Sequence, residues 1–294
     1  MTSESALLAH YLQLIETDLA ARLPRHSELA PRLVEAMRYA TLGGGKRIRP
    51  LLTCATAASL GADPAHALAP ACAAEFIHAY SLIHDDLPAM DDDELRRGRP
   101  TVHVAFGEAV AILAGDALQA LAFETISTDA LLPLAARVAM IELLARAAGW
   151  SGMVGGQTFD MDATGRALSV DALESMHRAK TGALLTTAVE LGAIAAAADV
   201  ATRTALREFG AAVGLAFQVV DDLLDVTGTT ERIGKRAGAD AALGKNTFPR
   251  LLGPDGTRER AAALHRQAID ALHRAGIESG PLHAIAREIV ERTH

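Results

Sequence analysis

His78-Ala79-Tyr80-Ser81-Leu82-Ile83-His84-Asp85-Asp86-Leu87-Pro88-Ala89-Met90-Asp91-Asp92-Asp93-Glu94-Leu95-Arg96-Arg97 is an apolar helical stretch that ends in a run of acids and then in basic residues. At about 100° per residue, His78 and Asp85 lie two turns apart on nearly one face. Asp91 would leave that face in a straight helix. Pro88 breaks the helix between them, so the third carboxylate can fold back toward the first. The guanidinium groups of Arg96 and Arg97 suit bidentate contact with phosphate. A solvated acidic helix end is the bland alternative. Six acids and three arginines (Arg96, Arg97 and, two residues on, Arg99) beside an apolar helix face fit it poorly.

A second acidic segment, Phe217-Gln218-Val219-Val220-Asp221-Asp222-Leu223-Leu224-Asp225, lies far along the chain. Asp221 and Asp225 stand at i and i+4, and Asp222 and Asp225 at i and i+3, which predicts one carboxylate-bearing helix edge. Like charges at such spacings are destabilising unless a cation sits between them. Two such clusters predict one shared site for several divalent cations. Hard oxygen ligands favour Mg²⁺, usually held by a few carboxylates together with substrate phosphates.

Helix signals dominate elsewhere. Helices are predicted near 4–21, 31–42, 49–60, 64–86, 102–125, 133–148, 171–197, 200–226, 258–275 and 280–292, from helix-forming residues, Pro31 and Pro50 as starts, and glycine stops at 43–45 and 61. No linker or repeat interrupts the 294 residues. If both clusters serve one site, the chain folds as a single all-α domain over 1–294. The stretch Thr227 to Thr257, rich in Gly and Lys, reads as either plain surface or a phosphate-closing lid carrying Lys235 and Lys245.

Half the residues are apolar, 22% are charged and the net charge is −8, so nothing points to a nucleic-acid partner. Cys54 and Cys72 lack metal-type spacing and read as buried thiols of a cytoplasmic protein. The N-terminus does not read as a signal peptide, and no run of about 18 uncharged apolar residues suggests a membrane span.

The chain resembles the trans-type polyprenyl diphosphate synthases, and within them most closely the bacterial farnesyl type. The resemblance runs from about Tyr39 to Leu252 and rests on six motifs in the family's order. These are Gly44-Gly45-Lys46-Arg47-Ile48-Arg49-Pro50, the two acidic segments, Gly155-Gly156-Gln157, Lys180-Thr181-Gly182 and Gly234-Lys235-Arg236-Ala237-Gly238-Ala239-Asp240.

The resemblance implies an antiparallel helix bundle around a deep cavity, forming a homodimer. It implies that Asp85, Asp86 and Asp91, with Asp221, Asp222 and Asp225 opposite, hold Mg²⁺ on an allylic diphosphate. Arg96, Lys180 and Lys235 would reach that diphosphate. Lys46, Arg49, His78 and Arg97 would take isopentenyl diphosphate. Thr181 and Gln218 would stabilise the allylic cation. The implied reaction is ionisation, condensation and elimination to the C15 product, with geranyl or geranylgeranyl diphosphate as the alternative products.

An aromatic at Tyr80 beside Ser81, and the longer first motif around Pro88-Ala89, are by resemblance the C15 pattern. Spacing alone leaves this open, because Ser81 falls about 40° and Tyr80 about 140° from the Asp85 direction. A class I terpene cyclase fits less well, since Asp225 and Thr229 stand where such enzymes carry Ser or Thr and then Glu. A non-catalytic subunit of a heteromeric synthase usually lacks one acidic motif, and this chain keeps both. Gly44-Gly45-Lys46 reads as either a helix stop or an anion site, and Gly155-Gly156-Gln157 as either a packing contact or a substrate contact. His66, His265, His273 and His283 read as exposed helical positions. The terminus Glu291-Arg292-Thr293-His294 lacks the basic cluster that some relatives place over the site.

Overall fold

The helix that ends in the first acidic run, Ala65–Asp85, is buried along most of its length, with Phe76, Ile77, Tyr80 and Ile83 inside. The computed structural model describes residues 3–227 and 246–291. Along the chain come α1 (Ser3–Arg22), α2 (Pro31–Thr41), α3 (Ile48–Ser59) and α4 (Ala65–Asp85). A short antiparallel hairpin follows, β1 (Leu95–Arg96) and β2 (Arg99–Pro100), then α5 (Val102–Phe106), α6 (Glu108–Ser127), α7 (Leu134–Ala148) and α8 (Met153–Ala163). Next are α9 (Val170–His177), a π-helical turn (Arg178–Gly182), α10 (Ala183–Ala195), α11 (Val200–Thr227), α12 (Phe248–Arg274) and α13 (Pro281–Glu291).

Helix α4 packs between α6 and α3, α10 joins α3 to α11, and α11 lies along α12. One apolar cluster threads these elements, from Ile15 and Leu19 of α1 through Phe76, Leu118 and Leu191 to Phe209 and Phe248. Small residues let the helices approach closely. A side chain at Gly192 of α10 would run into the Thr53 carbonyl of α3.

The all-α reading holds, and several boundaries differ from it. The helix predicted near 102–125 is divided at Gly107, whose φ of 89° only glycine adopts readily. The one predicted over 171–197 contains the π-helical turn. Helix α8 has no counterpart among the predicted helices, because Gly155 and Gly156 lower its local propensity. Helix α12 starts at Phe248 rather than near 258, with a break at Gly253 and Pro254. Its first turn is tied to α11, where the Asp222 carboxylate accepts a hydrogen bond from the Phe248 N–H at 2.9 Å.

Among the described residues one helix, α6, is long and apolar enough to cross a membrane by length and composition. Its Ala111, Ala114, Leu118 and Ala122 are buried, and it also carries Glu108, Asp116 and Glu124. Both cysteines are buried free thiols, as expected. His66 and His273 are exposed as expected. His265 and His283 are instead half-buried, with the His273 and His283 rings 5.9 Å apart where α12 meets α13.

Candidate active site

Pro88 ends α4 as its geometry predicts. The chain reverses so tightly that the Asp91 N–H donates to the Asp85 carbonyl at 2.9 Å, bringing the third acid of the motif back to the first. Asp86 points the other way. Its buried carboxylate accepts from Arg96 Nε at 2.9 Å to each oxygen and from Nη2 at 2.5 Å. The β-hairpin supplies this contact by turning Arg96 back beneath the helix end. Burial pushes the Asp85 carboxyl up to about 6; Lys180 draws it down while Asp91 pushes it further up.

On the far side of the hairpin, Arg97 sits at φ 53° and donates to the Gly44 carbonyl, closing against Gly45. This joins the two basic motifs that lie far apart in sequence. Arg49 and His78 belong to the same cluster. Burial lowers the Arg49 guanidinium to about 10, an effect partly offset by Glu75, and its Nε is buried with no hydrogen-bond partner. Burial, together with Arg49, Arg97, Arg96 and Arg47, holds His78 well below the ordinary imidazole range. A cationic pocket in which a half-buried guanidinium keeps an unpartnered Nε is suited to take an anion. Lys46 is exposed on the same turn.

A cavity of about 570 Å³ opens beside these groups. Arg49, His78, Tyr80, Ser81, Asp85, Lys180 and Thr181 all line it, so seven of the expected residues share this cavity. The rest of its lining is largely apolar, including Leu82, Leu87, Met90, Ile112, Met153, Val154 and Met161. Tyr80 is 5% exposed and meets the His84 ring edge-on, centroids 5.8 Å apart. Ser81 donates to the His78 carbonyl at 2.9 Å.

Lys180 and Thr181 sit in the π-helical turn, a feature that often marks functional sites. Gly156 of α8 makes this possible, because a Cβ there would collide with the Lys180 backbone nitrogen. The Gly155-Gly156-Gln157 motif therefore serves close packing, and Gln157 also lines the cavity. Lys180 Nζ is 2.5 Å from Asp160 Oδ2, a pairing that the sequence reading missed.

The second acidic segment divides differently from its spacing. Asp221 is exposed, whereas Asp222 is buried with Oδ2 on the Phe248 N–H and 3.8 Å from His177 Nε2. Gln218, one turn before, lies 3.4 Å from His177 Nδ1. His177 itself stacks on Phe248 with centroids 5.6 Å apart. Nothing in local sequence signals this histidine; only the approach of α9, α11 and α12 singles it out. Among the described residues, the cavity lining does not include Gln218, Asp221, Asp222 or Asp225. Lys235 and Lys245 lie outside the described residues.

Among the described residues no three His, Cys, Asp or Glu side chains gather closely enough to hold a metal ion by themselves. The donor chemistry still fits Mg²⁺, which takes one or two carboxylates and completes its shell with phosphate oxygens and water.

The polyprenyl synthetase family model matches residues 30–274. Farnesyl diphosphate synthase of Escherichia coli (strain K12) is 52% identical over 268 residues, covering 88% of this chain and 89% of the relative. The enzyme of that name from Geobacillus stearothermophilus is 46% identical over 284 residues, covering 96% and 95%. A crystal structure of an FPP/GFPP synthase from Zymomonas mobilis superposes with a TM-score of 0.87 at 44% identity, covering 97% and 98%. With the family model matched from residue 30 to residue 274 and relatives of about half identity covered along most of their length, this chain belongs to the polyprenyl synthetase family.

Proposed function

We propose that this chain is a Mg²⁺-dependent prenyltransferase that condenses isopentenyl diphosphate with dimethylallyl and then geranyl diphosphate to give (2E,6E)-farnesyl diphosphate. The observation that carries this reading is the largely apolar cavity lined also by Arg49, whose Nε is buried without a hydrogen-bond partner, and by Asp85 and Lys180. It offers anion binding, carboxylate and hydrocarbon surfaces side by side.

In this reading Arg49, His78, Arg97 and Lys46 grip isopentenyl diphosphate without metal. Mg²⁺, when bound, neutralises the allylic diphosphate and makes it a better leaving group. Direct ligation falls to Asp85, Asp91, Asp221 and Asp225. Asp86 and Asp222, already engaged by Arg96 and by the Phe248 N–H, hold the frame around them. Arg96, Lys180 and Lys235 add positive charge toward the departing diphosphate. Its C–O bond breaks to leave an allylic cation, which the apolar walls shield from water. Thr181, on the cavity lining, and Gln218, beside His177, are assigned the stabilisation of that cation through their side-chain oxygens. The π bond of isopentenyl diphosphate attacks, and a proton passes to the released diphosphate, leaving a new trans double bond. The Tyr80 ring, backed by His84, limits the growing chain.

Residues 1–294 form one catalytic domain, and the enzyme is a cytoplasmic homodimer in this reading. Exposed Leu113 of α6 and Leu134 and Val138 of α7 support the dimer as apolar surface suited to a second copy. The deciding experiment incubates the protein with isopentenyl and dimethylallyl diphosphates and Mg²⁺ and reads product chain length. A C15 product is expected. A C10 or C20 product would replace the C15 assignment, and absence of any product would overturn the enzymatic reading.

A further inference from the structure

The turn between α2 and α3 carries Lys46 and Arg47, Arg49 follows in the first turn of α3, and Arg47 behaves unlike the other two. Arg47 has φ 49° and ψ 35°, a left-handed backbone that a residue with a Cβ keeps only when its surroundings hold it there. Its side chain is 2% exposed. Nε donates to Glu16 Oε1 at 2.7 Å and Nη2 to Glu16 Oε2 at 3.3 Å. Nη1 donates to Glu75 Oε1 at 2.7 Å, and Nη2 to the Thr41 carbonyl at 2.8 Å. One guanidinium thus ties α1, the end of α2 and α4 to the start of α3.

We propose that Arg47 is a positioning residue: its cage of Glu16, Glu75 and the Thr41 carbonyl sets the turn so that Lys46 and Arg49 meet the same diphosphate as His78. This inference rests on reading the cluster as the isopentenyl diphosphate site. Three observations support it. The inward turn of Arg47 leaves Lys46 exposed and Arg49 on the cavity wall. Glu75 stands one turn before His78 on α4, so the cage and the imidazole share a rigid support. Glu75 is also the acid whose charge favours both Arg49 and Arg97, so it steadies two guanidinium groups while bonded to a third. Buried ion pairs are weak contributors to stability, and fixing one geometry is the use best attested for them. An anion site loses affinity steeply when its donors shift by about an ångström.

The test uses the full chain with Mg²⁺. Arg47→Lys and Glu16→Gln are compared with wild type for KM of isopentenyl diphosphate at saturating geranyl diphosphate, for the converse KM, for kcat and for melting temperature. Arg47→Lys keeps the charge and loses the fork. It is expected to raise the isopentenyl diphosphate KM about tenfold or more, with the allylic KM and kcat within about threefold. Glu16, whose side chain is 45% exposed, tolerates replacement, and Glu16→Gln is expected to shift the same KM by about threefold. An unchanged isopentenyl diphosphate KM, or an equal rise in both KM values, overturns the inference. If Arg47→Lys does not fold, Glu16→Gln decides by the same criterion. A wild-type chain that makes no product overturns the functional reading and this inference with it, whereas an active wild type with unmoved variants overturns only the inference.

Discussion

The carboxylate of Asp86 and the guanidinium of Arg96 are locked together by three hydrogen bonds, at 2.9, 2.9 and 2.5 Å, with Asp86 only 2% exposed. The second acid of the first motif is thus joined to the arginine that follows the motif. Replacing Arg96 by Leu strands a buried carboxylate. It is expected to cost about 3 kcal/mol in denaturant unfolding, besides lowering turnover. A variant as stable as wild type would show that the pair carries no structural weight.

Tyr80 closes part of the cavity wall, so Tyr80→Ala is expected to lengthen the product beyond C15. Chain length is read by mass spectrometry after dephosphorylation. An unchanged product would reject Tyr80 as the limiting floor.

Behind Tyr80 stands His84, whose Nε2 lies 3.1 Å from the Ile112 carbonyl and whose ring fills the space over Gly115. A Cβ at Gly115 would overlap the imidazole. Gly115→Ala is therefore expected to cost about 1–3 kcal/mol and to shift the product distribution by displacing His84 against Tyr80. Wild-type stability and product profile in this variant would show that the ring moves freely.

Gly156→Ala forces α8 away from the π-helical turn that carries Lys180 and Thr181. The expected result is a fall in kcat of about tenfold or more, with the isopentenyl diphosphate KM held near wild type, since Arg49 and His78 are on other elements. Steady-state kinetics with each substrate varied separates the two constants.

His78 is held well below the ordinary imidazole range by burial and surrounding arginines. Below pH of about 6.5 the unfolded chain takes up a proton that the folded chain refuses. Its contribution to stability is present above that pH and lost as pH falls, by up to about 1.4 kcal/mol per pH unit. Denaturant titrations from about pH 7 to about pH 5, across the ordinary imidazole range, should show a steeper loss for wild type than for His78→Gln. Equal slopes would mean that His78 protonates in the folded state.

Much of this protein is legible from residue order alone. The two acidic segments, the basic turn at Lys46 and the Lys180-Thr181 pair identify the family. Helix periodicity predicts the all-α architecture, and Pro88 predicts the reversal that returns Asp91 to Asp85. These are local effects: a missing N–H, a repeat of charges, a glycine at a stop.

Tertiary structure decided the remainder. Helix α8 forms despite its glycines because close packing on the π-helical turn outweighs propensity. Asp222 shares a sequence spacing with Asp221, yet the arrival of Phe248 buries it and leaves its neighbour exposed. Arg47 is one of three cations close together in sequence at the start of α3, and only Glu16, Thr41 and Glu75 turn it inward. His177 and Asp160 acquire partners from helices distant in sequence. A periodic pattern records which face of a helix is apolar, but not which other helix will meet it. That meeting decides whether a charged side chain holds a neighbour in place or faces the substrate.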